Sequence, residues 1–204
     1  MSKPYILCIS GISTSGKSTI AKDISEKFGY KIIPFDDYFI DFAKIPKFQM
    51  DGQTIINWDL PESIDWDLIL SDLQKLDPKK KYIIESFIPF ASPQIEPLVD
   101  SLIDIEFYQT DFEVALKRRV FRGFNEDVPS DYNENPMSSK AHFCAYYFKN
   151  YVWKEAFLHP EYRLPLHWDK PLLRLSATDP LEDNLKSAYN FVENLPQEST
   201  CSVI

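Results

Sequence analysis

Tyr5-Ile6-Leu7-Cys8-Ile9-Ser10-Gly11-Ile12-Ser13-Thr14-Ser15-Gly16-Lys17-Ser18 is the stretch on which the fold turns. Residues 5–10 form a continuous apolar run of strand length, and the eight residues after it fit the phosphate-loop pattern GxxxxGK[ST]. Working outward, Ile20, Ala21, Ile24 and Phe28 recur at helical spacing over 18–28, and 30–34 returns to a β-like run. This is a βαβ start with a glycine-bearing loop between strand and helix, the context in which such a loop cradles phosphates. Gly11 and Gly16 permit the tight curl, and Ser13, Thr14, Ser15 and Thr19 complete the wall around the phosphates. Lys17 would reach the β- and γ-phosphates, while the Ser18 hydroxyl would face Mg²⁺.

Further short apolar runs at 82–85, 103–108 and 172–175 alternate with helical patterns at 64–76, 112–122, 140–157 and 181–195. Alternation of this kind implies an α/β class, a mainly parallel five-stranded sheet with helices on both faces, here in the P-loop NTPase arrangement. Thr110 with Glu113 predicts a capping box, and Asp179 before Pro180 predicts an N-cap with proline at the first helical position. The stretches 41–56 and 123–139 lack periodicity and read as long loops of the kind that carry function. One domain over 1–195 is expected, with 196–204 as a disordered tail.

The bulk chemistry narrows the partners. A chain of 204 residues, 44% hydrophobic, can build one domain core. Its net charge of -9 and pI near 4.8 argue against nucleic acid or an anionic membrane, which need a basic face. Cys8, Cys144 and Cys201 are scattered, without a CxxC pair, so neither a disulfide framework nor a structural zinc site is expected. The apolar run at the start is too short for a signal peptide or a transmembrane helix. A cytoplasmic protein is expected, with the nucleus as a second compartment, acting as monomer or homodimer on a small molecule.

The phosphate loop alone leaves a switch, a motor and a kinase open. Neither a DxxG nor an NKxD segment is present, which disfavours a guanine-nucleotide switch. After the second strand comes Phe35-Asp36-Asp37-Tyr38-Phe39, placing two carboxylates where an open α/β sheet presents ligands. Asp36 could take the proton of an acceptor hydroxyl and support Mg²⁺. Ile83-Ile84-Glu85 closes an apolar run on a carboxylate suited to hold the ion or its water. Arg118, Arg119 and Arg122 lie at helical neighbour spacings and could clamp a transferring phosphoryl group.

Taken with Asn57-Trp58-Asp59, Glu85-Ser86-Phe87 and Lys117-Arg118-Arg119, these segments resemble the nicotinamide riboside kinases, within the uridine kinase-like P-loop kinases, over roughly 5–190. The resemblance implies ATP and Mg²⁺ as cofactors and nicotinamide riboside as acceptor, with nicotinic acid riboside as a second substrate, in NAD biosynthesis. It implies Asp36 as general base beside Lys17, and Ser18, Asp36 and Glu85 around the metal. Trp58, Asp59, Phe39, Arg119, Phe124 and Asn125 would face the riboside. Arg118 and Arg122 would meet the ATP phosphates, and Ser176, Ala177 and Thr178 the adenine. The chain departs from the family pattern at Trp58 and Phe124, where tyrosine is usual, and at Ser86, where glycine is usual. A face made by Trp58 and Phe124 keeps stacking and cation–π attraction for a pyridinium ring, and Asp59 could accept both ribose hydroxyls. Asp59 could also cap the next helix, and Trp58 could be a core aromatic. A uridine or cytidine kinase, or a kinase of another small alcohol, is the competing reading, with Asn57, Asn125 and His142 as candidate base-reading donors; an idle nucleotide-binding protein is another. Cys201-Ser-Val-Ile204 fits a loose prenylation box without the basic cluster that usually accompanies one, the only route to a membrane that the sequence offers.

Overall fold

A computed structural model describes residues 3–50 and 52–196; the prenylation box at 201–204 and all but Pro196 of the predicted tail lie outside them. The first strand, β1 (Tyr5–Gly11), lies at the centre of a five-stranded sheet with β2 (Lys31–Pro34), β5 (Lys81–Ser86), β6 (Ser101–Glu106) and β7 (Leu172–Ser176). The order is β2-β5-β1-β6-β7 and every pairing is parallel. Because both faces of a parallel sheet are covered, β1 has no polar face to alternate with, hence its unbroken apolar run. Leu7 and Ile9 point to one core with Ile83, Ile103 and Ile105; Ile6 and Cys8 point to the other with Ile84 and Leu102.

The first core is closed by α1 (Lys17–Phe28), α3 (Phe112–Phe124), α4 (Lys140–Tyr147), α5 (Trp153–Leu158) and α6 (Leu181–Glu193), and the second mainly by α2 (Trp66–Gln74). Parallel strands end at one edge, so Gly11, Pro34, Ser86, Glu106 and Ser176 finish together and their loops form a common rim.

The structure revises several local expectations. Residues 41–56 are not all loop: β3 (Lys47–Met50) pairs antiparallel with β4 (Gln53–Ile56) as a separate two-stranded ribbon. The helix predicted over 140–157 contains a π-helical stretch, Phe148–Val152, between α4 and α5. The box ahead of α3 uses Asp111, whose carboxylate accepts from the Tyr108 backbone N–H at 2.8 Å, in place of Thr110 with Glu113. Pro180 itself is the N-cap of α6, one position later than predicted. The cap of α2 is Asp65, which accepts from the Leu68 N–H at 3.0 Å, so Asp59 is free of that duty. Among the described residues no helix is long and apolar enough to cross a membrane.

Candidate active site

The loop after β1 curls as its glycines require. Gly11 has φ 150°, and a Cβ there would stand 2.6 Å from the Ile105 carbonyl oxygen and 2.5 Å from the Ser15 hydroxyl. Only glycine lets the loop pass that close to β6. Gly16, at φ 103°, caps α1, and Thr14 also takes a left-handed conformation, its hydroxyl donating to the Ser13 carbonyl at 2.5 Å. Ser15 is buried, its hydroxyl without a hydrogen-bond partner among the described residues. Thr19 is exposed on the first turn of α1.

Lys17 and Ser18 both turn toward the end of β5. The Ser18 hydroxyl donates to Glu85 Oε1 at 3.0 Å, and Lys17 Nζ lies 4.0 Å from the same oxygen while donating to the Ile12 carbonyl at 3.3 Å. Burial pushes the Lys17 ammonium down from its ordinary value; the charges of Glu85 and Asp36 oppose this, and those of Arg122 and Arg119 add to it. Asp36 is therefore close enough to act electrostatically on Lys17, Arg122 and Asp59, although it sits exposed in the short turn after β2. Asp37 beside it is also exposed.

The three arginines divide. Arg119 Nη1 donates to the Ser13 hydroxyl at 2.9 Å and Arg122 Nη2 to the same oxygen at 3.4 Å, so two guanidinium groups converge on the phosphate loop. Arg118 turns away from them. Its Nη1 donates to the Ala177 carbonyl at 2.7 Å and its guanidinium carbon lies 5.7 Å from the Phe107 ring centre. It thus secures the 176–178 turn, where Ala177 N–H donates to the Glu106 carbonyl at 2.7 Å and the Ser176 and Thr178 hydroxyls are 2.9 Å apart.

Asp59 lines one of two cavities, and its chain neighbour Trp58 and its hydrogen-bond partner Tyr147 line the other. The latter, an open cleft of about 700 Å³, is lined by Trp58, Phe124, Phe143, Tyr147, Arg119 and Lys140, among others. Trp58 is 36% exposed, held edge-on by Phe39 at 5.0 Å and tilted against Phe42 at 5.8 Å, so it is a wall residue and not a core aromatic. Burial pushes the Asp59 carboxyl up, and a Tyr147 hydrogen bond and the Arg119 charge hold it back. The Tyr147 hydroxyl donates to Asp59 Oδ2 at 2.9 Å and reaches Asn57 Oδ1 at 3.3 Å. The cavity that Asp59 lines is smaller, about 160 Å³, and is shared with Ile12, Ser13 and Arg163, among others.

Two groups at this site escaped the sequence reading. Tyr147 lies in a helical stretch where aromatics at that spacing fit a packed face, and only the fold turns its hydroxyl onto Asp59. Arg163 was a lone basic residue in a proline-rich segment. Of the residues expected to read a base, Asn57 accepts at Oδ1 from the Tyr147 hydroxyl at 3.3 Å and the Asp59 N–H at 3.2 Å, and His142 lies against Ser139 at 2.8 Å and Asp131 at 3.0 Å. Asn125 ends α3 in a left-handed conformation, φ 56°, with its N–H on the Phe121 carbonyl at 2.7 Å, and does not line the cleft.

No family model matches the chain. Uridine kinase of Clostridium perfringens is 30% identical over 154 residues, covering 62% of this chain and 71% of that protein. Uridine kinases of Clostridium botulinum and Brevibacillus brevis are 27% and 26% identical over the same length, with 72% and 69% of those proteins covered and 62% of this chain in each case. Among solved structures, a gluconokinase from Sinorhizobium meliloti superposes with a TM-score of 0.56 at 13% identity, over 96% of this chain and 95% of that one. A sugar kinase from Janibacter gives 0.56 at 15% identity, over 95% and 97%. At such identities the structures speak for the fold alone.

Proposed function

The chain belongs to the uridine kinase family of P-loop kinases, and from that premise we propose that it transfers the γ-phosphoryl group of ATP to the 5′-hydroxyl of a ribonucleoside, nicotinamide riboside first among them. The observation that carries this reading is the convergence of Lys17, Arg119 and Arg122 on the phosphate loop within electrostatic reach of two carboxylates, Asp36 and Asp59. The cations suit a triphosphate and the phosphoryl group in transit; the carboxylates suit an acceptor carrying several hydroxyls.

In this mechanism Asp36 accepts the 5′-hydroxyl proton as that oxygen forms its bond to the γ-phosphorus, and the bond from phosphorus to the departing ADP oxygen breaks. Lys17, Arg119 and Arg122 offset charge on the equatorial oxygens. Asp59, steadied by Tyr147, accepts from the ribose hydroxyls. Ser18 and Glu85 present two hard oxygen donors 3.0 Å apart, a set that fits Mg²⁺ completed by water and phosphate. Bound there, the ion would neutralise charge on the phosphates.

Nicotinamide riboside is favoured as acceptor by local charge and by the placement of the candidate pyrimidine readers. Asp59, Glu62 and Glu155 line the smaller cavity and Asp36 acts on Asp59 from nearby, a charge setting suited to a cationic ring, while the aromatic wall of the open cleft, Trp58, Phe124 and Tyr147, offers a stacking surface. Of the amides and histidine expected to read a pyrimidine, His142 is engaged within the fold at both ring nitrogens, Asn57 lines neither cavity and Asn125 lies off the cleft. Uridine is the second reading, favoured by the names of the relatives.

A coupled ADP-release assay tests both. Nicotinamide riboside is expected to outpace uridine by a wide margin. Asp36→Asn should lower turnover by about 10²–10⁴ while ATP binding, read by calorimetry, persists. Equal rates for the two nucleosides would remove the named acceptor, and ADP release indifferent to any acceptor would remove the transferase reading.

A further inference from the structure

Arg163 follows the helical turn Pro160–Tyr162 and is 8% exposed, yet its Nε and Nη1 atoms are buried without a hydrogen-bond partner among the described residues. Glu106, whose carboxyl feels the Arg163 charge, makes its own ion pair with Arg174 at 3.9 Å. A buried guanidinium with unmet donors is rare because it forfeits its hydration without replacement. Arg163 lines the smaller cavity together with Ile12 and Ser13 of the phosphate loop and with Asp59.

The remaining polar groups of that cavity select the ligand. Asp59, Glu62 and Glu155 offer acceptors and negative charge, so an anionic group would meet three carboxylates for one guanidinium. A wholly cationic group would meet Arg163. His159 faces the space but is stacked on Tyr162 at 4.8 Å and bonded to Glu161 at 3.1 Å. Ile12, Leu60, Phe87, Ile88 and Val152 make the rest of the wall apolar. What fits is an uncharged, planar group with an oxygen acceptor beside an N–H donor.

We propose that Arg163 is a specificity-determining residue that donates a hydrogen bond to the carbonyl or carboxamide oxygen of the acceptor's heterocycle, the substituent entering the smaller cavity while Glu62 or Glu155 receives its N–H. The inference rests on the reading of the chain as a nucleoside kinase. It separates acceptors that share a ribose. A site built to hydrogen-bond a substituent rejects the analogue that lacks it.

The test compares nicotinamide riboside, nicotinic acid riboside and the pyridinium riboside without a carboxamide, on the wild type and on Arg163→Met. The wild type is expected to favour nicotinamide riboside over the other two by about tenfold or more in kcat/KM, and the variant to lose that preference through the acceptor KM, with the KM for ATP unmoved. A preference that survives in Arg163→Met, or is missing from the wild type, overturns the proposal and leaves the kinase reading intact. Thermal melting controls for folding, and Arg163→Leu, which also removes every donor, replaces the methionine variant if that one does not fold, with the same loss expected. If no riboside is phosphorylated, the kinase reading itself fails, and binding of free nicotinamide by ligand-observed NMR decides the pocket: binding lost in the variant supports it, and binding absent or unchanged overturns it.

Discussion

At the scale of single residues the site is governed by where charge is buried. Asp59 is pushed up from its ordinary value chiefly by burial, and its neighbour Asp36 pushes further. For an acid held above its unfolded value, the folded state binds the proton more tightly, so stability falls as pH rises between the ordinary aspartate value and the raised one. Denaturant unfolding across that window, without nucleotide, should show this slope in the wild type, and Asp59→Asn should flatten it; identical slopes would mean that Asp59 is solvated in the folded chain. The residues legible in the sequence were those whose chemistry is tied to a local pattern. Lys17, Ser18 and Glu85 follow a loop motif or end an apolar run, whereas Tyr147 and Arg163 gain their meaning from partners or vacant donors far along the chain.

At the scale of elements, the strands were readable because burial on both faces leaves an apolar run of a given length. The ribbon β3–β4 was not, because strands as short as Lys47–Met50 and Gln53–Ile56, exposed at alternate or adjacent positions, carry neither a run nor a repeat. The π-helical stretch Phe148–Val152 was invisible for another reason: widening a turn changes which side chains share a face without changing composition. It follows directly on Tyr147, at the point where the helix passes the cleft. Caps were legible in kind but not in place. Asp65, not Asp59, holds the first turn of α2 through the Leu68 N–H. Asp65→Ala should therefore cost about 1 kcal/mol of stability in denaturant unfolding while kcat and both KM values stay put; a loss of activity at unchanged stability would place Asp65 in the site instead.

At the scale of the whole molecule, an acidic chain concentrates three cations, Lys17, Arg119 and Arg122, at the rim of a parallel sheet and sets carboxylates beside them. The phosphate loop explains the first group and never by itself implied transfer; the step from binding to chemistry rests on Asp36 and on the hydrogen-bonded pair Asp59 and Tyr147, which line separate cavities. The most direct test is phosphorus NMR of a reaction containing ATP, Mg²⁺ and nicotinamide riboside. A new phosphomonoester resonance, split by the two protons of the riboside C5′, is expected to grow in step with ADP. ADP accompanied only by inorganic phosphate, or a phosphoester on any other hydroxyl, would contradict transfer to the 5′-hydroxyl.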